Sequence, residues 1–526
     1  MILPTSRLDE PPGPGGGVNA RGCICQSCPY VAPRRLVPEA RAAEEISTMP
    51  ATPLHWQTIG DLSRQIHRGT LSPVELMEHF LSRVDALDGA LHSFRLVSRE
   101  RALAAAQAAA LALRAGQDAG PLHGIPYAVK DLIDVQGLPT TAGSNLLLDN
   151  IASTDATVVR RLHQAGMVLL GKTQTVQFAF GAPGVNHHHG TPHNPWHPTP
   201  HTPGGSSNGS GVAVGAGLVP MALGTDTGGS VRIPAALCGM VGLKTTVGQV
   251  SRAGVFPLSW TFDSVGPLSR SVEDAALVYQ AMCGPDPLDA STQGAAPHQD
   301  VVTGLRDGIR GLRVAFVETV FWDDADPEVV QAVRACGDVF ANLGAQVQSM
   351  ALPEASEALE ANGSGVISAV EAVLEHQKRL GERFQEYDPV VTYRIVTGKD
   401  ASALEYLQAV QACTALRERM ARVLRDVDVL LAPTTMVPPL PLAEVDASLE
   451  AYQYWNPRYS RNTRVGNVLG LCSLTVPCGF TRHGLPIGLM ISGKGYDEAT
   501  VLRAGYAYEQ ATAWHQRTPD LTWATT

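Results

Sequence analysis

Lys130 sits inside the apolar run GIPYAVKDLIDV (124–135), where a cation is out of place. Ser206 and Ser207 follow two glycines in TPGGSSNGSG (202–211), and Ser230 follows two more in GTDTGGSVRIP (224–234). Burying a lysine costs free energy unless something compensates. Either Lys130 pairs with Asp131 or Asp134, or desolvation moves its pKa down from about 10.4 and leaves it neutral. A neutral lysine is a competent general base, and a serine is a poor nucleophile without one.

Gly228 and Gly229 can turn the backbone before Ser230 so that consecutive N–H groups point to one spot. Such donors stabilise an oxyanion, and losing one typically costs about 2.7–4 kcal/mol of barrier. The flanking runs VPMALG and IPAALCGMVGL are apolar and would bury this turn, which argues against a flexible linker. Asp226 and Arg232, on either side, are placed to pair and lock it. The serine does not lie in G-x-S-x-G, and no G-x-x-x-x-G-K-[ST] phosphate loop is present. GSGVAVG (209–215) offers glycines at dinucleotide-like spacing, but a proline-rich loop precedes it rather than a strand.

The elements that must position these groups alternate between strand and helix. Residues 72–88 start with Ser72 as N-cap, Pro73 at the first helical position and Glu75 closing a capping box. Their apolar residues Val74, Met77, Phe80, Leu81, Val84 and Leu87 share one face. Residues 99–115 form a second, alanine-rich helix, 124–135 a buried strand, 155–165 a helix and 167–170 a strand. A strand–helix unit restarts at 311 and its helix ends at Gly344; 352–426 are mainly helical. Residues 427–433 are a buried strand, CSLTVPCGF and LPIGLMISG a hairpin across TRHG, and 497–513 a closing helix. The pattern predicts an α/β fold. The proline-rich segment 181–210 is a long loop whose His189, His193, His197 and His201 recur every four residues. Prolines 192, 195, 198 and 200 forbid the helix that would stack them as metal ligands, so no metal is expected there.

The totals fit a large enzyme: 526 residues, 44% apolar, 17% charged, with 51 glycines. A net charge of −10 without a basic stripe disfavours nucleic acid. No 18-residue apolar run exists, so no membrane span is expected. Nine scattered cysteines do not form a disulfide framework, which points to a reducing, cytoplasmic location. Residues 1–48, with Pro, Gly and the thiols of CICQSC, read as a disordered tail or upstream extension, with Met49 as an alternative start.

From about residue 55 to the C-terminus the chain resembles the amidase signature family. The likeness is strongest over 202–247, and it continues in PLHGIPYAVKDLIDVQGLPTTAGS (121–144), HNPWHP (193–198) and LTVPCGF…GLPIGLMISG. The resemblance implies a large mixed β-sheet covered by helices on both faces, over 49–526, with a variable, mainly helical substrate-covering region at about 315–425. It implies a Ser–cis-Ser–Lys triad: Ser230 as nucleophile, Ser206 as proton relay after a cis peptide, and Lys130 as neutral base. It places the oxyanion hole on Thr227, Gly228 and Gly229, with Ser207 in support. Asn208 departs from the glycine usual in the family. No metal or organic cofactor is implied, and a homodimer is a family-level expectation.

The expected activity is therefore an amidase, acting through an acyl-enzyme on a small-molecule amide, with ester and carbamate (urethane) hydrolysis as extensions. An alternative within the family is the glutamine-hydrolysing subunit of a tRNA-dependent amidotransferase. Such relatives carry an acidic residue to hold glutamine's amino group, and 459–477 contains neither Asp nor Glu. A non-catalytic nucleotide-binding protein is the alternative from another class, and it would leave Lys130, Ser206 and Ser230 a coincidence. Substrate selection is expected from loop 181–201, residues 320–322 and the 360–400 region.

Overall fold

The structure, a computed structural model, describes residues 52–296, 299–363 and 365–525. The tail assigned to 1–48 lies outside the described residues. Among these, eleven strands form one mixed sheet. They are β1 (Phe94–Val97), β2 (Pro126–Lys130), β3 (Val168–Thr173), β4 (Met221–Asp226), β5 (Val241–Lys244) and β6 (Ser264–Ser269), followed by β7 (Arg313–Val317), β8 (Gln346–Met350), β9 (Val429–Pro433), β10 (Cys472–Phe480) and β11 (Pro486–Gly493). Their spatial order is β1-β3-β2-β4-β6-β5-β10-β11-β9-β7-β8. β3, β2 and β4 run parallel, as do β9, β7 and β8, and antiparallel pairings join the two groups.

β2, β3 and β4 are buried along their whole lengths, as expected of parallel strands covered by helices. The helix Pro73–Leu91 carries the predicted capping box on Ser72 and Glu75, and buries Leu76, Met77, Phe80, Leu81, Val84 and Leu87. Among the described residues no helix is long and apolar enough to cross a membrane.

Two local departures from the sequence reading place the site. The strand expected over 124–135 ends at Lys130. There the chain turns back, because the N–H groups of Leu132 and Ile133 both donate to Lys130 O, at 2.7 and 3.0 Å. The second departure is the end of the loop expected over 181–210, because a fully buried helix, Asn208–Gly215, already begins there. A Cβ on Gly209 would come within 2.4 Å of Gln174 N, so only glycine allows this approach to the neighbouring chain. Parallel β2 and β4 pair through Ala128–Ala222 and Val129–Leu223, so Lys130 and the Thr225–Asp226 end of β4 emerge at the same edge. Carboxyl ends of parallel strands are where α/β sheets present their ligand sites.

Candidate active site

Lys130 is fully buried, and its Nζ lies 2.8 Å from Ser206 Oγ and 2.8 Å from Thr225 Oγ1. Asp131, the partner that an ion-paired Lys130 would have needed, pairs instead with Lys172 at 2.7 Å. Lys130 itself forms no ion pair among the described residues. Burial dominates its titration and pushes the pKa down to about 7, against a smaller upward pull from Asp263 and Asp226. Its nitrogen is therefore substantially neutral near pH 7.

Ser206 follows a cis peptide bond from Gly205 and has no exposure. Its carbonyl accepts from Val176 N and Thr175 Oγ1, both at 3.1 Å. Ser207 N donates to Ser230 O at 3.3 Å, and Ser207 Oγ donates at 3.4 Å to Thr225 O, tying both serine segments to the end of β4. Asn208 bonds outward: its Nδ2 donates to Gly184 O at 2.7 Å, and its Oδ1 accepts from Gly209 N at 2.7 Å. The Asn208 side chain thus ties the 181–201 loop to the serine loop.

Ser230 sits between β4 and the helix Arg232–Cys238 and lines a cleft with Thr227 and Gly228. No side-chain hydrogen bond is formed to its hydroxyl among the described residues. Its loop is held from below by Asp226. That carboxylate accepts from Gly229 N at 2.9 Å, Val231 N at 3.2 Å and Asn467 Nδ2 at 2.9 Å, and it takes Arg232 in a two-pronged pair at 3.0 Å each. Burial opposes the Asp226 charge, but Arg232, with Lys244 and Asn467, outweighs it and holds the pKa below the usual carboxylate range.

The peptide between Gly228 and Gly229 is pinned at both ends, since Gly228 O accepts from Thr463 Oγ1 at 2.7 Å while Gly229 N–H goes to Asp226. Gly229, with φ +129°, has no room for a side chain; a Cβ would lie 2.1 Å from Thr463 Oγ1. Among the described residues no protein acceptor meets the N–H groups of Thr227, Gly228 or Ser230. Thr227 Oγ1 donates to Asp263 Oδ1 at 2.5 Å, which orients the first residue of the loop.

The cleft walls come from distant segments. Ala182, Asn362, Ser368 and Arg394 belong to the regions expected to select substrate, and Phe180 borders the first of them. Residues 320–322 do not line it: Trp322 Nε1 donates to Val317 O, and Phe321 packs in the core. The helix Leu449–Val468 supplies a further wall, with Ser460, Arg464 and Asn467 facing the cleft; this segment enters the sequence reading only through the lack of Asp and Glu over 459–477. Its signal is a helical-period stripe of Asn456, Ser460, Thr463 and Asn467, polar residues mostly buried on a face where apolar ones would be usual. Of the loop histidines, His197 and His201 lie with ring centroids 4.1 Å apart, and His187 bridges Asp388 and Asp446, at 2.8 and 2.9 Å.

A family model described as Amidase matches residues 75–502. The chain is 40% identical over 471 residues to an amidase of Pseudomonas putida, covering 88% of this chain and 98% of that protein. It is 39% identical over 492 residues to a glutamyl-tRNA(Gln) amidotransferase subunit of Roseiflexus sp. (strain RS-1), covering 89% and 99%. Native peptide amidase from Stenotrophomonas maltophilia superposes with a TM-score of 0.78 at 30% identity, covering 89% of this chain and all of that one.

Proposed function

The chain belongs to the amidase family, and from that premise we propose that it hydrolyses its substrate's carbon–nitrogen bond through an acyl-enzyme on Ser230. The observation that carries this reading is a buried, desolvated lysine 2.8 Å from a serine hydroxyl, with no carboxylate partner among the described residues. Neutral Lys130 takes the Ser206 proton as Ser206 takes that of Ser230. Ser230 Oγ bonds to the carbonyl carbon, and the N–H groups of Thr227, Gly228 and Ser230 hold the oxyanion. The Ser206–Ser230 contact closes as substrate binds; catalytic hydrogen bonds are commonly longer in the free enzyme. The carbon–nitrogen bond breaks as the leaving nitrogen receives the proton back through Ser206. Water, deprotonated along the same route, releases the acid. Esters and carbamates present the same carbonyl and are expected substrates.

Ser230→Ala is expected to abolish both turnover and covalent labelling by a fluorophosphonate. Turnover at the wild-type rate in that variant overturns the assignment.

The 39% identity to an amidotransferase subunit favours a second reading, a glutaminase that works with partner subunits. Against it, among the described residues no Asp or Glu lines the cleft to receive glutamine's ammonium group. Glutamine hydrolysis that appears only on adding such subunits would establish it.

A further inference from the structure

We propose that the substrate carries a carboxylate, held by Arg394 and Arg464, a few bonds from the amide that Ser230 attacks. The inference rests on the hydrolase reading above and names its substrate class.

Arg394 comes from the helix Pro389–Ile395 and Arg464 from Leu449–Val468, yet both line the cleft that holds Ser230. Neither has a carboxylate partner among the described residues. Arg464 Nη1 donates to Gly363 O at 2.9 Å and Nη2 to Ser460 Oγ at 3.3 Å, while its buried Nε has no acceptor. Arg394 lies over the Phe180 ring at 4.0 Å, and no protein acceptor meets its guanidinium among the described residues. Elsewhere Arg232 is matched by Asp226, Arg313 by Asp428 and Arg334 by Glu318, while Arg83, Arg161 and Arg417 spend their donors on backbone carbonyls.

Two unmatched guanidinium groups on one cleft repel each other and give up hydration. Burial first, and Arg394 second, push the Arg464 pKa down to about 10. An arriving anion relieves both costs. Low-dielectric walls focus a positive field of this kind, and the planar guanidinium fork matches a carboxylate. Position follows from Gly228, because a Cβ there would lie 3.3 Å from Arg464 Cγ. The arginine stem therefore lies against the oxyanion loop, and its head ends within one side-chain length of the reacting carbonyl. With no acidic group lining the cleft among the described residues, an ammonium near the carboxylate goes unmatched. A plain carboxylate fits better than an amino acid zwitterion.

The test compares kcat/KM on three probes with their neutral counterparts: glutaramate, with the carboxylate on the acyl side, against valeramide; N-acetylglycine, with it on the amine side, against N-ethylacetamide; and glutamine. Wild type is expected to prefer one anion over its counterpart by about 100-fold, and over glutamine. Arg394→Gln and Arg464→Gln are each expected to lower kcat/KM on that anion about tenfold or more, chiefly through KM, and to shrink the preference. Preference for glutaramate places the carboxylate on the acyl side and for N-acetylglycine on the amine side; either supports the clamp. Equal rates on anions and neutral counterparts, or a preference that both variants keep, overturn it. Fluorophosphonate labelling of Ser230 in both variants separates lost recognition from lost fold, and the wild-type comparison stands if a variant does not fold. Persistent turnover in Ser230→Ala would sink the hydrolase reading instead.

Discussion

Lys130 is where burial becomes chemistry. Its pKa of about 7 means that the proposed base is neutral above this pH and protonated below it. We expect kcat/KM to fall up to tenfold per unit as pH drops below about 7, and to level off above it. A profile flat from pH 5 to 9 would rule out a lysine base. The same shift has a stability consequence. The folded pKa lies below the unfolded value of about 10.4, so between about pH 7 and 10 the unfolded chain binds more protons and stability rises with pH. Lys130→Met is expected to be nearly inactive and to lose that part of the pH slope. Urea midpoints at pH 7 and 9.5 for both proteins check this.

At the scale of elements, the turn from β4 into the helix Arg232–Cys238 is pinned by Asp226, which accepts from Gly229 N, Val231 N, Asn467 and Arg232. Arg232 and Asp226 are both fully buried. Arg232→Met leaves the Asp226 charge with only Asn467 and two backbone donors, and removing one partner of a buried pair costs about 3–5 kcal/mol. A lower thermal midpoint is the expected readout, and an unchanged one would show that the pair is dispensable. Gly229→Ala must move either the turn or Thr463, and so misaim the amides beside it. The expected loss in kcat is about 100-fold or more, read most directly in the fluorophosphonate labelling rate. A variant that labels at the wild-type rate would remove this turn from the oxyanion argument.

Across the whole molecule, two buried carboxyls join the ends of the described chain to its middle. Asp274, on the helix Val272–Met282, accepts from Ile59 N at 2.9 Å, and Glu509, on Glu498–Gln510, accepts from Val272 N at 2.9 Å. Burial pushes their pKa values up to about 7 and about 8. Both lie above unfolded values near 4, so the folded chain holds the extra protons and this stabilisation is lost as pH rises through 7 and 8. Asp274→Asn with Glu509→Gln keeps the acceptors and removes the titration. The wild type should therefore lose more stability than the double variant between pH 5 and 8.5 in urea melts. Parallel loss in both would contradict the shifts.

Much of this was legible locally. An apolar run around Lys130, paired glycines before Ser206 and Ser230, and a capping box at Ser72 are short-range patterns, and neighbouring residues determine their meaning. So are the alternating periods that mark an α/β sheet. By itself, then, the sequence determined the fold class and the residues proposed for the chemistry. The tertiary structure decided what each of them touches. Asp131 neighbours Lys130 in the chain but pairs with Lys172 across the sheet. Gly229, expected among the oxyanion donors, gives its N–H to Asp226. Thr463, Arg464 and Asn467 reach the serine loop from a helix more than 230 residues away. Such convergence leaves no local trace, because it is set by strand order and helix packing, and of these distant side chains Arg464 brings charge to the cleft.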